Sequence, residues 1–305
     1  MKPLICVLLP FVALCAQQEQ PPFRLPDGVR VEQNLVYSSP GGRDLHLDLF
    51  LPKEGRGPFP AVVYIHGGAW KGGNKNAFRR QAAHMATKGF AGACIEYRLS
   101  GEAKYPAALQ DSKAAVGWVR ANAAKYRIDP RRVGAAGGSA GGHLVALLGV
   151  LGDVKAVAAF NPAVDLVSFG KRAPSSAGNS VAVFLGATYA QKPELWAEAT
   201  PITHVDKNSA VFLFLHGNAD TTVPYQQSVD MLNKLKAAGV EADLFTAEGA
   251  AHGFFNRPPW FEPTLKRMEE FFLRHLKPGT VSSITNSPGG PSNPEIAVPI
   301  AELFD

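Results

Sequence analysis

The chain has 305 residues, 46% of them hydrophobic and 19% charged, with a formal net charge of +5. That balance describes a globular protein, and the length suits one large α/β domain or two small ones. Its basic residues are scattered, with no arginine-rich arm and no basic stripe interleaved with aromatics, which argues against a nucleic-acid-binding surface.

The first residues read as an export signal, residues 1–16. Lys2 supplies the positive end, residues 4–13 are apolar, and Ala16 offers a small residue for cleavage. The apolar run is too short for a comfortable bilayer span, so a secreted or periplasmic protein without stable membrane insertion is expected. Of the three cysteines, Cys6 and Cys15 fall in this segment, leaving Cys94 in an apolar run as a small core residue with no internal disulfide.

Residues 17–34 are expected to be a linker, polar and proline-rich over most of their length. Residues 44–49 then alternate strictly, as in a half-buried antiparallel strand. From there the pattern changes to continuous apolar runs at 61–65, 90–97, 132–136, 154–160 and 211–215, with a further strand-like segment at 241–246. Such runs fit strands buried on both faces of a parallel sheet. Helix-like stretches alternate with them at 76–88, 106–126, 142–151, 224–238 and 261–276. Alternating β and α units predict a mostly parallel, doubly wound sheet with helices on both faces and right-handed crossovers. Two segments break the rhythm. Residues 161–208 form a long insertion where a cap over the carboxyl ends of the strands would sit. Residues 278–305 are rich in Ser, Pro, Gly and Asn and read as a tail beyond a catalytic domain spanning 35–277.

The chemistry centres on Gly137-Gly138-Ser139-Ala140-Gly141. This G-x-S-x-G lies between a strand-like and a helix-like run, the setting of a nucleophile elbow. A serine hydroxyl is a poor nucleophile at neutral pH and needs a base, an orienting acid and an oxyanion site. The predicted base is His252, in a loop of small residues after the strand-like 241–246. The predicted acid is Asp220, on the loop before the helix near Pro224, with Glu248 in reserve. His216 reads as a structural histidine with backbone partners. The order Ser139, Asp220, His252 is the one expected of α/β-hydrolases and differs from those of trypsin and subtilisin. Backbone N–H groups of Gly68, Ala69 and Ala140 are the predicted oxyanion donors, with His66 orienting their loop. Trp70 and Phe254 are candidate substrate-binding residues, with Phe255 beside them, and Tyr97, Arg98 and Asp111 read as scaffold. No metal or organic cofactor is called for.

Taken together, HGGAW from His66, IEYRL from Ile95, the Asp129-Pro130 turn, GGSAGGH from Gly137, HGNAD from His216 and AHGF from Ala251 resemble the hormone-sensitive-lipase-like esterases of the α/β-hydrolase superfamily. The likeness is greatest to exported bacterial esterases that remove feruloyl or acetyl groups from plant polysaccharides, and it covers residues 35–276. It implies a serine carboxylesterase acting on a small-molecule or polysaccharide ester through Ser139, Asp220 and His252. Relatives often read HGGG where this chain has Ala69-Trp70 after two glycines. HGG before an aromatic also occurs in kynurenine formamidases, so an amidase or peptidase on the same fold stays open. So does a binding protein on a hydrolase scaffold.

Overall fold

The computed structural model describes residues 23–172 and 176–277. The expected export signal and C-terminal tail lie outside these residues. Eight strands form one sheet in the order β1-β2-β4-β3-β5-β6-β7-β8. They are β1 (Val29–Ser38), β2 (Leu45–Pro52), β3 (Phe59–Ile65), β4 (Ala91–Ile95), β5 (Ile128–Gly138), β6 (Ala156–Phe160), β7 (Val211–Gly217) and β8 (Ala242–Ala247). β1 pairs antiparallel with β2, and β2 antiparallel with β4. From β4 to β8 every pairing is parallel.

The continuous apolar runs became central strands because both of their faces are covered. Every residue of β3, β4 and β6 is buried. On one face lie α2 (Ala107–Ala121), α4 (Ala140–Val150) and α8 (Gln226–Ala237), reaching the core through Val116, Leu144 and Met231. On the other lie α1 (Arg79–Thr87) and α9 (Phe261–Leu276), through Met85, Met268 and Phe272. The short α3 (Ala123–Tyr126) follows α2. Arg98 and Asp111 brace this layer: the guanidinium lies 2.8 Å from a carboxylate that also accepts the Arg98 backbone N–H at 2.9 Å.

Two expectations need correction. β1 begins at Val29, inside the stretch read as linker, and pairs with β2 from Val29 opposite Pro52. Val29 and Val31 alternate there with Arg30 and Glu32, and so short an alternation on an edge strand resembles a linker when the strand it pairs with cannot be seen. The alternating β2 was read as half-buried, yet its second face is covered as well. Phe50 packs against the α1 layer, and Asp48 is buried beside the Lys75 ammonium at 3.2 Å and the Asn34 N–H at 2.9 Å.

Residues 161–208 fold into α5 (Leu166–Lys171), α6 (Ser176–Leu185), α7 (Pro193–Glu198) and a single 3-10 turn at Pro201–His204. The described residues of this insertion pack against the main layer. Trp196 is fully buried with its indole N–H donating to the Ala187 carbonyl at 3.0 Å. Gln227 of α8 accepts the N–H groups of Val164 and Asp165 at 3.0 and 3.1 Å, tying the start of the insertion to the main layer.

α9 buries Thr264, Leu265, Met268, Phe272 and Leu276, a stripe at helical spacing that closes the second face. Phe272→Ala is therefore expected to destabilise the fold by about 3–5 kcal/mol. Urea unfolding measures this, and a loss below about 1 kcal/mol would contradict the packing described.

Candidate active site

The loops after β3, β5, β6, β7 and β8 meet at the carboxyl edge of the parallel strands, where open α/β sheets bind their ligands. Ser139 joins β5 to α4 with φ 55° and ψ −119°, a left-handed backbone that few non-glycine residues adopt. The turn is held by the Ser139 N–H donating to the Phe160 carbonyl at 2.9 Å and the His143 N–H donating to the Ser139 carbonyl at 2.9 Å. Gly141 gives the turn its room, since a Cβ there would run into the Ile65 carbonyl oxygen.

The structure brings together the three side chains expected of the nucleophile, base and acid. Ser139 Oγ lies 2.9 Å from His252 Nε2, and His252 Nδ1 lies 2.7 Å from Asp220 Oδ2. Asp220 Oδ1 accepts the N–H groups of Thr222 and Val223 at 2.8 and 2.9 Å. A second histidine shares the same carboxylate oxygen: His216 Nε2 is 3.3 Å from Asp220 Oδ2 and 3.0 Å from the Val223 carbonyl. Two acceptors at one nitrogen require that nitrogen to carry the proton. Nδ1 of His216 then accepts from Ser228 Oγ at 2.7 Å. Burial alone would raise the Asp220 pKa, but hydrogen bonds from His216 and His252, with the Val223 amide, outweigh it and hold the carboxyl well below the usual range. Glu248, the reserve acid, instead accepts from the Asn218 amide. His216 thus has side-chain partners as well as the backbone partner expected of it.

One neighbour of the base was not anticipated. Asn161 follows β6 at φ 35°, is fully buried, and holds its amide nitrogen 3.4 Å from His252 Nε2. A polar residue ending a buried apolar run next to the serine's strand was the signal available.

The loop after β3 carries three consecutive residues at positive φ: Gly68 at 115°, Ala69 at 53° and Trp70 at 57°. At Gly68 a Cβ would strike the Gly72 carbonyl. Lys71 and Gly72 N–H groups both donate to the Gly68 carbonyl at 3.1 Å, closing the turn. Among the described residues, the amides of Gly68, Ala69 and Ala140 donate to no protein acceptor, leaving them available to a ligand. His66 stacks on Tyr97 beneath this loop, 4.4 Å between ring centres, and Tyr97 O–H donates to the His66 carbonyl at 3.1 Å. Burial lowers the His66 pKa. Trp70 is pinned from two sides. Its Nε1–H donates to His143 Nδ1 at 3.2 Å, and its ring stacks on Phe184 of α6 at 4.6 Å. His143 Nε2–H donates in turn to the Ala199 carbonyl at 2.7 Å. Both ring nitrogens are thereby committed in the neutral form, and burial pushes the His143 pKa down to about 4.

A cavity of about 240 Å³ opens onto Ser139. Trp70 lines it, with Phe169 of α5, Val181 of α6 and Val223 opposite. Phe254 does not line it, contrary to the expectation. Gly253 at φ 77° turns the chain back after His252, so that Phe254 packs on Trp260 and Phe255 packs on Phe160 and Phe78 beneath the serine turn. The lining from α5 and α6 was not legible because spacing does not say how the insertion folds back.

A mostly parallel sheet with serine, acid and histidine on the loops after β5, β7 and β8 defines an α/β-hydrolase. The chain matches the BD-FAE family over residues 47–235, more than half its length, and belongs to that family. It is 31% identical to Esterase LipC of Mycobacterium tuberculosis over 216 residues, 65% of this chain and 53% of LipC. The chain spans about half the length of the curated relatives it matches. A truncated carbohydrate esterase from gut microbiota superposes with a TM-score of 0.71 at 31% identity, covering 81% of this chain and 96% of the other. Esterase Est2 of the planctomycete Thermogutta terrifontis, solved with butyrate bound, gives 0.71 at 29% identity, covering 84% of this chain and 99% of the other. No helix among the described residues is long and apolar enough to cross a membrane.

The buried neutral His143 makes stability depend on pH. Its folded pKa, about 4, lies below its ordinary value of 6.5. Between these values the unfolded chain binds a proton that the folded chain does not, so stability falls as pH drops from 6.5 to 4, by on the order of 3 kcal/mol. His143→Gln keeps a donor and an acceptor but cannot titrate, so its urea-unfolding free energy should fall less over that window. An equal fall in both proteins would rule this out.

Proposed function

We propose that this chain is a serine carboxylesterase acting on small esters with short-chain or aromatic acyl groups. The observation that carries this reading is the line from Ser139 Oγ to His252 Nε2 to Asp220 Oδ2, at 2.9 and 2.7 Å, beside three amides with no protein acceptor. Ser139 Oγ attacks the ester carbonyl as His252 Nε2 takes its proton. Asp220, already ionised and fixed by two backbone amides, stabilises the imidazolium and keeps Nδ1 protonated. The carbonyl oxygen, now an oxyanion, accepts from the amides of Gly68, Ala69 and Ala140. Collapse expels the alcohol, which leaves with the proton from His252. Water then attacks the acyl-enzyme, again giving a proton to His252, and the acid departs as Ser139 regains its hydrogen.

Feruloyl or acetyl decorations of plant polysaccharides are the natural substrates in this reading. The likeness to a gut carbohydrate esterase supports the polysaccharide side, and the butyrate-bound relative supports a short acyl group. The cavity beside Ser139 is of matching scale. Export to the periplasm or medium rests on residues 1–16 alone.

Hydrolysis of p-nitrophenyl acetate, butyrate and decanoate, methyl ferulate and acetylated xylan tests the proposal. Turnover of acetate and butyrate should exceed that of decanoate, and Ser139→Ala should lower kcat by roughly 10⁴–10⁶. Unchanged turnover in that variant, or failure of a fluorophosphonate to label Ser139, would sink it. His216→Leu removes one donor from Asp220 and should lower kcat about tenfold or more with KM little changed. His216→Asn, which can still donate, should recover part of the loss. A change confined to KM would contradict the positioning role.

A further inference from the structure

Lys71, an exposed residue, directly follows the three strained residues of the loop after β3, and among the described residues it is the charged one lining the cavity at Ser139. Its backbone is held by the N–H donated to Gly68, so the root of the side chain is fixed to the loop that carries the free amides. Among the described residues its ammonium has no ion pair and no hydrogen bond. Neighbouring lysines are occupied: Lys75 lies 3.2 Å from Asp48, and Lys104 donates to the Ser100 carbonyl at 2.7 Å. Among the described residues no carboxylate lines the cavity to neutralise Lys71. The Asp220 carboxylate is already committed to two histidines and two amides.

The remaining walls are mainly apolar, with Phe169, Val181, Ala163 and Val223 among them. A cation at the mouth of a low-dielectric cavity acts on a bound anion more strongly than one on an open surface. We propose that Lys71 is a specificity-determining residue that selects esters carrying a carboxylate, the apolar part of the substrate lying in the cavity and the carboxylate facing the ammonium. This rests on the esterase reading above. The carboxylate has two possible sources: the acyl part, as in a half-ester of a dicarboxylic acid, or the alcohol part, as in an ester on a carboxylate-bearing alcohol.

Two pairs, each an ester with and without the carboxylate, separate the sources. Monomethyl succinate against methyl butyrate places the charge in the acyl part, and 4-acetoxybenzoate against phenyl acetate places it in the alcohol part. Acid release is followed by pH-stat for the wild type, Lys71→Ala and Lys71→Glu, and the quantity read is the ratio of kcat/KM within each pair. Lys71→Glu should lower the anionic-to-neutral ratio about tenfold in one pair, with Lys71→Ala in between. The wild-type ratio should also shrink as salt is raised. A shift in the first pair assigns the carboxylate to the acyl part, and a shift in the second to the alcohol. Ratios that neither variant moves in either pair, with the esters still turned over, overturn the role of Lys71. No turnover of any ester by the wild type overturns instead the esterase reading beneath it.

Discussion

At Ser139 the chain leaves a buried strand and enters a buried helix with no intervening loop, and the backbone there sits at φ 55°. Such a turn is held only where its surroundings over-determine it. The surroundings here are α4, buried along all eleven residues, and the carbonyl of Ile65, which lies where a side chain at position 141 would have to go. The close approach of α4 to β3 is therefore a condition for the serine's geometry. It also fixes where the loop after β3 stands relative to the hydroxyl, because that loop starts at the same Ile65. Nucleophile and free amides are set by one contact between a helix and a strand.

The insertion is bound into the same arrangement. Trp70 holds the strained loop by stacking on Phe184 and by its hydrogen bond to His143, and His143 reaches on to the Ala199 carbonyl. Helix α6 thus lines the cavity through Val181 on one side and braces the amide-bearing loop through Phe184 on the other. The part of the chain that shapes substrate access is also the part that keeps the loop in its left-handed conformation.

Much of this was legible in the sequence where a single residue type is forced by local geometry. Glycines around Ser139 and after His66 announced close approaches, and continuous apolar runs announced strands covered on both faces. The three reactive side chains could be picked because each follows a strand in a short loop of small residues. What remained hidden depends on how distant segments meet. Phe254 looked like a pocket residue from its place beside His252, yet Gly253 turns it into the core. The second acceptor role of Asp220 toward His216 could not be read, since it depends on how the loop after β7 folds back to set the Asp220 carboxylate and the Val223 carbonyl against one nitrogen of His216. Asn161 was lost inside an insertion whose path has no periodic signature.

His252 follows β8, which among the described residues pairs with β7 and with no strand beyond it. Nucleophile and acid follow β5 and β7, which have neighbours on both sides. Edge strands open locally at lower free energy than central ones. Fraying of β8 would detach the base and loosen the Asp220 loop, whose Asn218 and Ala219 N–H groups donate to the Ala247 and Ala250 carbonyls, while leaving the elbow in place. Amide hydrogen exchange along β8 would then track the fraction of time the protein is assembled for chemistry, a quantity that overall melting does not report.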